Sequence, residues 1–173
     1  MKLVLVADAF PPMRTSAAVQ LRDLTREFVK QGHDLTVLLP SNDLRAPWSL
    51  SEFDGAKVLQ LAAPRTKEVG YLRRTIGEWL MPHAMRYNLG RSPLASERWS
   101  GVIWYSPSIF HAPLVRALKR ESGCKSYLII RDIFPEWALD LGLIRPGLTY
   151  AFFKRAARKQ YETADFIGVQ SPG

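Results

Sequence analysis

The 173-residue chain has one cysteine, Cys124, and no CxxC pair or Cys/His cluster at metal-ligand spacing. Thiol–disulfide chemistry and a structural zinc are thereby excluded, and a reducing compartment is expected. The glycine patterns that cradle nucleotides are missing too: there is no GxGxxG and no GxxxxGK[ST], so neither a dinucleotide fingerprint nor a P-loop is available. No GxSxG accompanies the histidines His33, His83 and His111, which stand in unrelated contexts and read as structural or exposed. No apolar run approaches the roughly 18 residues of a membrane span. The apolar start, residues 1–7, is ended by Asp8 and Pro11-Pro12, too early for a signal-peptide core. No internal repeat and no low-complexity tract interrupts the chain.

What is present is an ordinary apolar content, 47% hydrophobic residues, and a strong excess of base, 24 Lys+Arg against 16 Asp+Glu. The length suits one domain with a real core. The excess is clustered. Arg65, Lys67, Arg73, Arg74, Arg86 and Arg91 stand against Glu68 and Glu78 over residues 65–91, and Arg145, Lys154, Arg155, Arg158 and Lys159 stand without an acid over 141–161. Such clustering suggests one or two basic faces for an anionic partner: phosphates, nucleic acid or a lipid headgroup layer.

Leu3 to Ala7 form an apolar run of the kind buried on both faces of a parallel sheet. A helix is expected from Ser16, read as its N-cap, with Ala17, Leu21, Leu24 and Phe28 at helical spacing and Gly32 as its stop. Leu35 to Leu39 follow as a strand ended by Pro40, which completes a right-handed βαβ unit. Residues 41–56 read as a loop and 58–61 as a short strand. Val69, Leu72, Ile76, Trp79 and Leu80 then share a helical face, with Arg73 and Arg74 elsewhere on the turn and a restart after Pro82 with Met85 and Leu89, giving an amphipathic helix or a kinked pair with a basic side. Further strands are expected at 102–105, 127–130 and 166–169, and helices at 113–121, 132–141 and 148–162. Strands alternating with helices predict an α/β, Rossmann-like, doubly wound and mostly parallel sheet. The chain stops directly after the last expected strand, without the helix that would close such a domain, which suggests a piece of a longer protein.

Ligands of open parallel sheets bind beyond the carboxyl ends of the strands, so the residues after each strand are the candidates. After the first strand, residues 8–16 offer the free N–H groups of a helix start with Arg14 nearby, suited to a phosphate or carboxylate; the same stretch also reads as a proline-stiffened turn with a capping serine. Ser106, after the 102–105 strand, either lines a pocket or caps the next helix. Arg131-Asp132-Ile133-Phe134-Pro135-Glu136-Trp137 is the densest ionisable and aromatic cluster. Asp132 and Glu136, four apart, suit hydrogen bonding to sugar hydroxyls or proton transfer, or simply cap a helix and complement its dipole.

Phe10-Pro11-Pro12, the run Phe28 to Leu38, the segment Arg131 to Glu136 and the closing run Ala164 to Ser171 resemble, in order and spacing, the N-terminal half of retaining family-4 glycosyltransferases of the GT-B fold. The similarity is nearest to the bacterial surface-polysaccharide branch with its fucosaminyltransferase-like proteins. It implies an acceptor-binding Rossmann-like domain spanning residues 1–173, with a donor-binding C-terminal domain not contained in the chain, so that this chain alone transfers no sugar. It implies metal-independent chemistry with no permanently bound cofactor, a UDP- or GDP-sugar as co-substrate and a lipid-linked saccharide as acceptor. Asp132 is the implied catalytic residue, Arg131, Glu136 and Ser106 the acceptor contacts, and Arg14, Thr15 and Ser16 the phosphate-facing turn. Many relatives carry a His-Asp pair where this chain has Arg131-Asp132, so an anion contact replaces a neutral imidazole. Arg73, Arg74, Trp79 and Arg86 would meet an anionic membrane, giving a cytoplasmic protein peripheral to the inner face of the plasma membrane. The rival reading is a stand-alone Rossmann-like module that binds a nucleotide or phosphometabolite without catalysis. Nucleic-acid binding is not expected, because no reading motif accompanies the charge.

Overall fold

The computed structural model describes residues 1–169. A seven-stranded sheet runs in the order β3-β4-β2-β1-β5-β6-β7, formed by β1 (Lys2–Val6), β2 (Asp34–Ser41), β3 (Trp48–Phe53), β4 (Ala56–Ala62), β5 (Gly101–Tyr105), β6 (Lys125–Ile130) and β7 (Phe166–Val169). Every pairing is parallel except that of β3 with β4. The expected doubly wound architecture is therefore what the chain adopts. The strand order reverses at β1, which lies between β2 and β5, and this puts the switch-point crevice beyond the ends of β1 and β5.

Alternate residues of the central strands feed two cores, as the two-residue period of a strand requires. Leu3, Leu5, Val37, Ile103 and Tyr105 pack beneath α1 (Ser16–Lys30) through Ala17 and Leu21. Val4, Val6, Leu59, Val102, Trp104 and Leu128 pack beneath α2 (Tyr71–Leu89) and α3 (Ala112–Ser122). The short α4 (Glu136–Asp140) and α5 (Leu148–Thr163) complete that layer, where Phe110, Phe134, Phe153 and Ala157 gather in a smaller cluster.

Four local expectations are corrected. Residues 41–56 hold strand β3, joined to β4 by a two-residue turn at Asp54 (φ 48°) and Gly55 (φ 81°), with Phe53 opposite Ala56. Asp-Gly is the dipeptide that the mirror-image hairpin turn requires, because both central residues need positive φ. The N-cap of α1 is Thr15, whose hydroxyl accepts from the Ala18 N–H at 3.2 Å, and not Ser16. Residues 132–135 are not helical: a residue before proline is pushed out of the helical region, and Pro135 itself stands at the N-cap of α4. Helix α2 continues through Pro82 as one 19-residue helix and does not restart. It is held to the sheet by buried Met81, Met85 and Leu89, and by the Asn88 side-chain amide donating to the Ala62 carbonyl at 2.7 Å.

Gly77 lets α2 approach closely, since a Cβ there would lie 2.9 Å from the Arg65 carbonyl. The consequence for the surface is large. The face that seats α2 carries Gly77, Met81, Met85 and Asn88, whereas the apolar face formed by Leu72, Ile76 and Trp79 points outward: Leu72 is 76% exposed, Ile76 48% and Trp79 51%.

Candidate functional site

The crevice is built from three loops that follow strands β1, β5 and β6. Across it, the Arg131 guanidinium donates to the Ser16 hydroxyl at 2.8 Å and to the Tyr105 hydroxyl at 3.3 Å. The Tyr105 hydroxyl in turn donates to Gln20 Oε1 at 3.2 Å. Because Thr15 supplies the cap of α1, the Ser16 side chain is left for Arg131. Residues far apart in sequence are thus drawn into one chain of hydrogen bonds that ties the loop after β6 to the first turn of α1. The hydrogen bond to Tyr105 and the adjacent Asp132 hold the Arg131 cation more firmly charged than a free guanidinium. Only some of its five N–H groups are used, which leaves donors for an anionic or hydroxyl-rich ligand.

Beside this link lies an open cleft of about 680 Å³ between α1 (Gln20, Leu24) and strands β6 and β7 (Tyr127, Ile129, Gly168), with Arg131 on its wall. Its mixture of an exposed tyrosine ring, aliphatic side chains and a fixed cation suits an amphipathic ligand. Asp132 and Ile133 are exposed on the same loop as Arg131. Glu136 lies apart from them, its carboxylate 3.9 Å from Lys154 on α5.

Several polar groups in the loops after β1 and β5 are more constrained than their sequence context suggests. Asp8, two residues past β1, has its Oδ1 buried without a hydrogen-bond partner among the described residues. Burial pushes the Asp8 carboxyl above its ordinary value, and Lys67 and Arg74 pull it partly back. Ser106 and Ser108, in the loop after β5, have buried hydroxyls with no partner among the described residues. His111 is wholly buried, neither ring nitrogen has a partner among the described residues, and burial lowers its pKa to about 4. The imidazole is therefore neutral at physiological pH. Orphaned polar groups at this density beside a strand-end crevice mark a place built for polar company.

The remaining candidates are dispersed. Arg14 is exposed on the turn before α1. Arg73 is exposed on α2, Arg74 pairs with Glu78 at 2.8 Å, and Arg86 pairs with Glu121 on α3 at 3.3 Å. Trp79 meets His83 edge-on at 6.1 Å. Among the described residues no group of His, Cys, Asp or Glu could hold a metal ion, and no helix is long and apolar enough to cross a membrane.

No protein-family model and no curated protein matches the sequence. Solved structures do match the fold. The chain superposes over 99% of its length on apo UGT2 of Phytolacca americana, at 13% identity and a TM-score of 0.57. The same plant enzyme complexed with UDP-2fluoro-glucose and pterostilbene gives 14% identity and 0.57, again over 99% of the chain. The E. coli trehalose-6-phosphate synthase bound with UDP-2-fluoro glucose gives 13% identity and 0.57 over 99%. The chain has the fold of one GT-B half. It spans 46%, 48% and 40% of the chains in those three structures.

Within this GT-B half, Arg131 and Ser16 are brought together directly, Asp132 stands beside them, and Ser106 lies in the loop after the neighbouring strand β5. Arg14 and Thr15 flank Ser16, while Glu136 and the α2 residues face elsewhere. Sequence reasoning passed over Gln20; Asp8 and Tyr105 stood only inside the post-strand stretches, and His111 was read as structural or exposed, which its burial bears out as structural. Tyr105 and Asp8 follow from the switch-point rule, since each stands at the end of a strand next to the reversal.

Proposed function

We propose that the chain is the acceptor-binding half of a sugar-nucleotide-dependent glycosyltransferase. The observation that carries the reading is the crevice at the strand-order reversal, where Arg131 is locked between Ser16 and Tyr105 with Asp132 beside it. A fixed cation with a neighbouring carboxylate can orient a polyol by accepting from one hydroxyl and donating to another. The glycosyltransferase structures that share the fold are about twice as long as this chain, and two of them hold a UDP-fluoroglucose. A partner half would supply the sugar nucleotide, a UDP- or GDP-sugar, and cationic groups with helix N-termini would stabilise its leaving diphosphate. The exposed apolar residues Phe166, Ile167 and Val169 of β7 are consistent with further structure covering that edge.

The finer reading is a retaining enzyme of bacterial O-antigen, capsule or exopolysaccharide synthesis, acting on a lipid-linked saccharide at an anionic membrane. Its support is the outer face of α2. Leu72, Ile76, Trp79 and Leu80 are exposed along one stripe with Arg73 and Arg86 at its borders, a pattern suited to the headgroup layer. The test is sugar transfer to a polyprenyl-diphosphate-linked saccharide by the protein together with its donor half. Asp132→Ala should lower turnover by at least about a hundredfold, the scale of one lost acid–base group. Unchanged turnover removes Asp132 from the site.

A further inference from the structure

On the opposite sheet face from α1, helices α2, α3 and α5 enclose a second cleft of about 220 Å³, whose walls carry Arg86, Arg116, Arg120 and Lys159. Its floor is small and apolar, formed by buried Ala112 and Ala117. The cleft follows from the register of α3: Pro113, Arg116, Ala117 and Arg120 recur at three- and four-residue steps, so they form one outward stripe while Leu114, Val115 and Leu118 face the core. Arg86 enters from α2 and Lys159 from α5.

Three features distinguish this cleft from a solvated basic surface. The first is the shortage of acid. Arg86 alone has a carboxylate partner, Glu121 at 3.3 Å, while Arg120 and the Lys159 ammonium have no side-chain partner among the described residues. Like charges brought to one cleft repel, and an anion between them reverses the sign of that interaction. The second is support from beneath. The Thr163 hydroxyl, on a residue only 3% exposed, accepts from Arg116 Nε at 2.8 Å and donates to the Lys159 carbonyl at 2.6 Å. One edge of the Arg116 fork is thereby fixed, and its terminal amino groups remain for a planar or tetrahedral oxyanion. The third is the helix end. His111 gives α3 no side-chain cap, and the cleft is lined by Ala112 and Pro113 at the positive end of the α3 dipole.

We propose that this cleft is a phosphate-binding site. It takes a phosphomonoester or diphosphate group, held by Arg116, Arg120 and Lys159, with Arg86 exchanging Glu121 for the ligand. The assignment is independent of the transferase reading, because none of these residues belongs to the strand-end crevice. The same chemistry is offered by a soluble phosphorylated compound and by a lipid headgroup.

The probes that separate them are inorganic phosphate, titrated calorimetrically, and flotation with vesicles of phosphatidylcholine alone or mixed equally with phosphatidylglycerol. Saturable binding of inorganic phosphate assigns a soluble ligand; binding only to the phosphatidylglycerol vesicles assigns a headgroup. In either arm Arg116→Gln with Arg120→Gln should weaken binding at least about tenfold. Lys30→Gln with Arg45→Gln, which removes the same charge elsewhere, should change it less than about twofold. Thr163→Val leaves the net charge untouched and should still weaken binding about threefold or more, while all variants keep the thermal unfolding of a folded domain. Failure of both probes to bind, equal losses in the two charge variants, or full binding by Thr163→Val would each overturn the proposal.

Discussion

His111 offers a sharp test of the packing around the loop after β5. Its ring is wholly buried at the start of α3, and its pKa falls from the ordinary 6.5 to about 4 because burial penalises the cation. A lowered value for a base means that the fold prefers the neutral ring. The contribution is complete above pH 6.5, where the unfolded chain is also neutral, and is lost as pH falls from 6.5 towards 4 while the unfolded chain takes up a proton that the native one resists. At 1.36 kcal/mol per pH unit, the interval corresponds to about 3 kcal/mol. For a domain of this size that is roughly 6–12 °C of Tm. The assay is thermal unfolding of the wild type and of His111→Gln from pH 7.5 to 4, since glutamine keeps a donor and an acceptor but does not titrate. The variant's own cost cancels in the difference between pH values, as do carboxylates common to both proteins. The wild type should lose about 3 kcal/mol more than the variant between pH 6.5 and 4. Parallel pH profiles would refute the argument, because they require a ring that charges freely in the native state.

Further outcomes follow from other residues. Asp8 has its pKa raised above the ordinary 3.8 chiefly by burial, so the fold favours the protonated acid and loses that advantage as pH rises through the raised value. Asp8→Asn should therefore raise stability at pH 7.5 and give no gain at pH 3, read by chemical denaturation. Met85, with no exposed surface on the seating face of α2, should cost about 2–5 kcal/mol when changed to Ala, whereas Leu72→Ala on the outer face should stay within about 0.5 kcal/mol. Leu72→Ser with Trp79→Ser should leave unfolding unchanged but weaken flotation with phosphatidylglycerol vesicles, and retained flotation would remove α2 from the membrane contact.

The architecture was legible because its signals are long and redundant. The buried runs at 3–7, 35–39 and 102–105, and the Gly32 stop (φ 79°), each report on burial or backbone geometry that a single sequence displays. The hairpin at Asp54-Gly55 was equally legible, and was missed because β3 is a half-exposed edge strand of mixed polarity. The orientation of α2 was not legible. Its apolar residues fall on two sides of the helix, and periodicity alone shows that Leu72, Ile76 and Trp79 share a face without fixing whether that face is buried or turned outward. The sheet instead receives Gly77, Met81, Met85 and Asn88, because close approach at Gly77 and one amide hydrogen bond to β4 fix the docking. At the site, Arg131, Asp132 and Ser16 stood out as residues after strands. The Tyr105 and Gln20 connection could not be read, since it depends on three-dimensional proximity across 85 residues of sequence.

The central proposal is that this chain serves the acceptor and lacks a nucleoside site. The most direct measurement is calorimetric titration of the chain with UDP, GDP and pyrophosphate in parallel. The proposed α2–α3–α5 site would not read a nucleoside, so UDP and GDP should bind no more tightly than pyrophosphate, and Arg116→Gln with Arg120→Gln should reduce any binding of all three together. A clear preference for UDP or GDP over pyrophosphate, surviving in that variant, would show a nucleoside pocket within residues 1–173 and contradict the account.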